Sequence, residues 1–123
     1  MTRIDLLTDA EIESRFRDSL RQRRMPDHFL YVGEPGARNW LDLDHSDDFP
    51  IAEALTGLLS RSASDIAARL LADTTLLSIG VGDGRKERIL LEVMIARARP
   101  RYVPVDVSSR LVDEALQAVA DLP

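Results

Sequence analysis

Residues 76–86 read LLSIGVGDGRK. A short apolar run stops on Gly80, and Gly82 and Gly84 follow at alternate positions. The basic pair Arg85-Lys86 then opens a stretch of helical character. The run 74–79 has the length and composition of a buried strand. Residues 85–98 read as a helix with Ile89, Leu90, Val93 and Met94 on one side, ended by Pro100. Residues 102–107, YVPVDV, give a second strand. Pro104 cannot donate to a ladder, so that strand lies at an edge or is bulged there. Ser108 or Ser109 can cap a last helix to about Ala120, with Leu111, Ala115 and Val119 inward. The order is strand, glycine turn, helix, strand, helix, so the fold class is α/β. Two strands joined through a helix are most simply parallel.

A strand-to-helix turn bends sharply, and a ligand seated on it must approach the main chain closely; glycine serves both needs. The helix that follows aims free N–H groups and its positive dipole end at the same place. The turn is therefore a candidate cofactor cradle, at the carboxyl ends of the strands. A tight turn without a ligand is the competing reading. The spacing is G-x-G-x-G, not the G-x-G-x-x-G of dinucleotide binders. The NTPase phosphate loop is excluded because no glycine directly precedes Lys86 and Glu87 stands where a hydroxyl is needed. A ribose-binding carboxylate belongs about 20 or more residues beyond such a turn, and Asp106 stands there at the end of the second strand. Alone, Asp106 reads equally well as a cap of the final helix; beside the glycines, ribose binding is the preferred reading.

Upstream, Thr8-Asp9-Ala10-Glu11 has the form of a capping box, with Leu7 and Ile12 placed for a hydrophobic staple. Ile12, Phe16 and Leu20 form the apolar stripe of a helix over 9–24 that ends at Met25-Pro26. Its basic face, Arg15, Arg17, Arg21 and Arg23, is interleaved with Glu11, Glu13 and Asp18 and reads as solvated surface. Residues 26–50 read as irregular, with Pro26, Gly33, Pro35, Gly36, Pro50 and an acidic cluster over 42–48. Phe29, Tyr31, Trp40 and Leu41 are expected to pin this segment to the body. His28 and His45 could meet a metal with Asp42, Asp44 or Asp47, but the spacing fits no ligand pattern, and surface histidines are the reading taken. Pro50 suits the first turn of a helix over Ile51, Leu55, Leu58 and Leu59 to about 60. A second short helix is expected after Ser62, with Asp65 in its capping turn and Ile66, Leu70 and Leu71 as its stripe.

The whole chain has 123 residues, 45% hydrophobic and 30% charged, which fits one folded domain and not a disordered segment. It has no cysteine, so disulfides, thiolate metal sites and cysteine nucleophiles are excluded and a cytoplasmic location is the default. The net charge of −5 gives no support to a nucleic-acid or anionic-membrane partner. No run approaches the ~20 apolar residues of a membrane span, and the charged N-terminus carries no export signal. Lys86 is the single lysine among arginines, and it sits beside the glycines.

The G-x-G-x-G turn after an apolar strand resembles that of S-adenosylmethionine (SAM)-dependent methyltransferases. More specifically, GVGDGRKERILLEVM followed by YVPVDVSSRLVDEAL resembles the histidine-specific methyltransferase family, whose known member makes the trimethylated histidine of the ergothioneine pathway. The R-K pair and the VPVDVS string carry most of the likeness, which covers about residues 76–120. LYVGEPGARNWLDL and DDFPIAEALTGLL extend it more loosely upstream. The resemblance implies an N-terminal helical region over 1–73, then the first β-α-β-α unit of a Rossmann-like methyltransferase fold over 74–123. It implies SAM as cofactor, Gly80, Gly82 and Gly84 under it, Lys86 on its carboxylate and Asp106 on its ribose, with a small-molecule methyl acceptor. No catalytic side chain is assigned. The family's substrate-binding tyrosine falls at Phe49, which has no hydroxyl to offer; Tyr31 is the nearby hydroxyl.

A complete methyltransferase sheet has about seven strands, so the resemblance also implies a longer chain of which this is an inactive N-terminal piece. Two strands are few for an open sheet, and their open edges and faces are expected to draw a second copy into a homodimer. The alternative is a non-catalytic, dimerising helical module whose glycine turn holds nothing.

Overall fold

The computed structural model describes residues 4–123. Among them the chain forms α1 (Asp9–Arg21), a turn of 3-10 helix (Asp27–Leu30), α2 (Gly33–Asp44), α3 (Pro50–Ala68), β1 (Thr75–Ile79), α4 (Arg85–Ile95), β2 (Arg101–Val105) and α5 (Ser109–Gln117). The arrangement is mixed and helix-dominated, with one two-stranded parallel sheet, as the strand–helix–strand order requires.

β1 and β2 pair from Thr75 opposite Arg101 to Ile79 opposite Val105. The ladder runs on into the turn, where the Gly80 amide donates to the Val105 carbonyl at 2.8 Å. Pro104 sits opposite Ser78 and ends no pairing; in a two-stranded sheet it needs only an outward-facing position for its missing N–H. β2 stops at Val105, short of the sequence expectation, because Asp106 turns the chain toward α5. Leu76, Ser78, Tyr102 and Pro104 lie on the half-buried side of the sheet, while Leu77, Ile79, Val103 and Val105 face outward and stay exposed.

α3 packs along α4, and α2 and β2 both touch α5. The buried apolar residues include four alanines, Ala37, Ala63, Ala67 and Ala115, together with Val81, Leu91, Met94 and Leu111. Small side chains let these helices approach closely. Arg88 ties α4 to the end of α5, donating to the Ala118 carbonyl at 2.6 Å and to both oxygens of Asp121.

The capping box of α1 forms as expected: Glu11 N–H donates to Thr8 Oγ1 at 3.3 Å, and Thr8 N–H to Glu11 Oε2 at 2.8 Å. α1 has no buried residue, and Phe16 meets Phe29 edge-on at 5.4 Å. The basic residues of its surface make local pairs, Arg17 with Glu13 and Arg21 with Asp18.

Four expectations are corrected. Residues 26–50 are not irregular: a turn of 3-10 helix takes four of them and α2 a further 12. Its opening Gly-Glu-Pro-Gly looks like a loop, but Pro35 falls in the first turn, where its missing N–H costs nothing. Gly36 is required by crowding, since a side chain there would lie 2.7 Å from the Tyr31 carbonyl carbon. Second, the two helices expected around Ser62 are one, α3, entered through Pro50. Thr56 and Ser60 return their hydroxyls to the carbonyls of Ala52 and Thr56, so these polar residues stay within the helix instead of breaking it. Third, α4 buries Glu87, Leu91 and Met94 deepest, one step round from the expected stripe, because it is covered by α3 as well as by the sheet. Fourth, α1, α4 and α5 end at Arg21, Ile95 and Gln117, short of 24, 98 and Ala120, and turn residues follow each.

Candidate functional site

All three glycines of the turn take positive φ: +70° at Gly80, +60° at Gly82 and +80° at Gly84. Their surroundings differ. A side chain on Gly80 would meet nothing within 4 Å, so the main chain there is open to a ligand. A side chain on Gly82 would lie 3.3 Å from Trp40 Nε1, and one on Gly84 would lie 2.7 Å from Ala115 Cα in α5. Gly84 thus serves the packing of α5, and Gly80 is the glycine that leaves space. Val81 between them is fully buried and anchors the floor of the turn.

Asp106 faces this turn from the end of β2. Its Oδ2 accepts from the Gly82 amide at 3.3 Å and its Oδ1 from the Ser108 amide at 3.0 Å. The residue therefore does both things the sequence allowed: it turns the chain into α5 and it lies at the cradle. Each carboxylate oxygen keeps acceptor capacity beyond one amide. Ser108 is the N-cap of α5, but its side chain makes no capping bond, and its buried hydroxyl has no partner among the described residues. Lys86 is half-buried in the first turn of α4, and it pairs with no carboxylate among the described residues.

Tyr31 and Phe49 come to the same place through a residue between them. Trp40 packs edge-on against Tyr31 at 5.4 Å and against Phe49 at 6.0 Å. Trp40 in turn lies against Gly82. The aromatic row brings the two acceptor-side candidates beside the glycine turn, although neither touches it through an interaction of its own.

Asp44, His45, Asp83 and Arg85 hold α2 to the turn, where the sequence offered Asp44 and His45 only as conceivable metal ligands. Arg85 donates to Asp44 Oδ2 at 2.6 Å and pairs with Asp83. His45 Nε2 lies 2.8 Å from Asp83 Oδ2. Asp83 is the joint. Burial pushes its carboxyl up, but the His45 hydrogen bond, the Arg85 amide and the Arg85 charge together outweigh this and hold it below its ordinary value of 3.8. Asp44, His45 and Asp83 present ligand-type atoms within 4.8 Å of one another. Arg85 already lies against both carboxylates, so the negative charge that would attract a cation is met within the chain. His28, the other histidine, stacks near Phe29 instead.

Beneath the turn, Glu87 is 7% exposed and accepts from Ser78 Oγ on β1 at 2.5 Å. Its spacing with Leu91 and Met94, i, i+4 and i+7, is the signal that could have revealed a buried carboxylate. Trp40 does pin its segment to the body, as expected from the sequence; the Asp44–Arg85 and His45–Asp83 pairs, formed across long separations, leave no local pattern.

No helix among the described residues is long and apolar enough to cross a membrane. Neither a curated protein nor a solved structure matches the chain. Residues 11–123 match the family described as histidine-specific, SAM-dependent methyltransferases. That span is nearly the whole of the sequence, and it includes the aromatic row, the glycine turn, Lys86 and Asp106. The chain belongs to the histidine-specific, SAM-dependent methyltransferase family.

Proposed function

We propose that the chain is the N-terminal part of a SAM-dependent methyltransferase that N-methylates an amino acid or a related small molecule, and that it contributes the first Rossmann-like unit, 74–123, and part of the cofactor site. The observation that carries this reading is the open main chain at Gly80, where a side chain would meet nothing within 4 Å, with Asp106 on the Gly82 amide and Lys86 in the first turn of the helix that follows. These residues fit the cofactor's chemistry. Its amino-acid end would lie on Gly80, its carboxylate would draw the Lys86 ammonium, and its ribose hydroxyls would donate to the remaining lone pairs of Asp106. Gly82 and Gly84 act from behind, keeping the turn closed against Trp40 and α5. When bound, the cofactor supplies an electrophilic sulfonium methyl. The protein's task is to hold an acceptor nitrogen in line with it, which is a matter of positioning more than of acid–base work.

On the acceptor side, Phe49 offers a ring where the family places a tyrosine, so an acceptor held through that hydroxyl would lose a bond here. Tyr31 carries the hydroxyl that remains in the aromatic row. Histidine itself is therefore not assigned as the acceptor.

Calorimetric titration of the intact chain with S-adenosylhomocysteine tests the cofactor site. Binding by the parent, weakened at least tenfold in Asp106→Ala and abolished in Gly82→Arg, is the expected result; unchanged affinity in both variants overturns the site. The reading of the chain as a fragment is tested in the gene. Further strand–helix units after residue 123 support it, and a stop codon at position 124 sinks it.

A second reading has one observation in its favour. The outward face of the sheet keeps Leu77 57% and Ile79 79% exposed, and an apolar sheet face of this kind seeks cover. In this reading two copies join through that face as a non-catalytic module. Sedimentation over a range of concentrations, repeated with Ile79→Asp, distinguishes a dimer from a monomer.

A further inference from the structure

Glu87 is the one deeply buried carboxylate among the described residues, and neither its burial nor its partner follows from the cofactor site as described. It occupies the third position of α4, directly after Lys86. Its Oε1 accepts a hydrogen bond of 2.5 Å from Ser78 Oγ on β1. Its Oε2 is buried with no partner among the described residues, as is the Tyr102 hydroxyl on β2. The Tyr102 phenol is pushed up by burial first and by the Glu87 charge second, which places the two groups within electrostatic reach of each other.

An arrangement of this kind is poor for stability. A buried oxygen without a partner is costly, and replacing both members of a buried polar pair by apolar groups can be neutral or stabilising. What the pair provides is direction. α4 starts from Gly84, a left-handed glycine that offers no side-chain cap; the Arg85 amide bonds Asp83 Oδ1 at 3.0 Å and the Arg85 side chain ties the outer side of the first turn to α2, which leaves its buried side to be fixed against the sheet. The Ser78–Glu87 bond spans from that turn to the strand that leads into the glycines. It is the one side-chain hydrogen bond among the described residues that joins α4 to the sheet.

We propose that Glu87 is a positioning residue of the cradle: its hydrogen bond to Ser78 sets the orientation of the first turn of α4, and with it Lys86 and the amides that face the ligand. The role in binding rests on the SAM reading above; the role in ordering α4 does not. Glu87 itself touches no ligand.

The test uses the intact chain with Glu87→Gln and with the double variant Ser78→Ala/Glu87→Leu. Three quantities are measured: stability by urea unfolding, exchange of the Arg88 amide in the ligand-free protein, and S-adenosylhomocysteine affinity by calorimetry. The Arg88 amide is the reporter because it makes the first hydrogen bond of α4, to the Gly84 carbonyl at 2.9 Å. The double variant is expected to be as stable as the parent or more so, while its Arg88 amide exchanges at least tenfold faster and its affinity falls at least tenfold. Glu87→Gln keeps an acceptor for Ser78 and is expected to stay within threefold of the parent in both. Parent-like exchange in the double variant overturns the proposal, as does faster exchange that merely tracks a loss of global stability. If the parent itself does not bind S-adenosylhomocysteine, the cofactor reading falls, and the exchange contrast still decides the role of Glu87.

Discussion

The glycine turn has two halves that look alike in sequence and behave differently in the fold. At the Gly80 end the main chain opens onto empty space, with Asp106 as its polar neighbour across the turn. At the Gly84 end the main chain is pressed onto α5, and Asp83 and Arg85 fasten it to α2. Both glycines have positive φ, so conformation alone does not separate them; their surroundings do. One end of the turn is available for chemistry and the other carries packing. A glycine motif therefore does not mark a ligand at every glycine.

The largest effect that this contrast predicts is at Gly84. In Gly84→Ala the new methyl would stand 2.7 Å from Ala115 Cα, on a backbone at φ +80°. Backbone atoms cannot move aside as a flexible side chain can. Strain at such a φ costs about 1–3 kcal/mol, and overpacking adds about 1–3 kcal/mol. We expect a loss of about 3 kcal/mol or more in urea unfolding, a large share of the total stability of a domain this size. A loss below 1 kcal/mol would mean that α5 is not seated where the structure has it.

Gly80→Ala sharpens the comparison from the other side. The methyl meets nothing, so only the φ of +70° resists it, and the stability cost should be about 1–2 kcal/mol. Its effect belongs on binding. The methyl fills the space above the main chain, and S-adenosylhomocysteine affinity should drop at least tenfold. If Gly80→Ala binds as the parent does, the open half of the turn is not where the ligand sits.

The same division explains how much could be read in advance. The turn, both strands, α4, α5 and the capping box of α1 were legible because each is written in neighbouring residues: alternating glycines, an apolar run, a hydroxyl three residues before a glutamate. Asp106 was legible at the end of the second strand, although its double service to Gly82 and Ser108 was not. α2 was hidden by Gly33, Pro35 and Gly36, which signal loops in isolation. They suit a helix start here because Pro35 needs no acceptor and Gly36 lies against Tyr31. The unity of α3 was hidden because Ser62 with Asp65 imitates a cap. The clamp at Asp83 could not be read at all: Asp44, which pairs with Arg85, and His45, which pairs with Asp83, come from the end of α2, and an ion pair between distant residues leaves no periodicity. Burial of Glu87 was written in the α4 pattern, but an apolar-stripe reading passes over a carboxylate.

The smallest effect lies at the clamp, and its sign follows from the Asp83 shift. In the folded chain Asp83 is held below its ordinary value of 3.8. A depressed carboxyl stabilises the fold above its unfolded value and loses that contribution as pH falls through the folded one. The clamp should therefore be fully effective above about pH 4 and fade only in stronger acid. Its partners Arg85 and His45 are about half exposed, so the pairs are screened by solvent and the whole contribution should stay within about 1 kcal/mol. Urea unfolding of the parent and of Asp83→Asn, compared at pH 7 and in steps below pH 4, checks it. The difference between them should be small and constant at the upper end and shrink toward zero in acid. A difference that instead grows in acid would mean that Asp83 is held above its ordinary value, as burial without partners would do. The two halves of the turn would then differ in packing alone and not in charge.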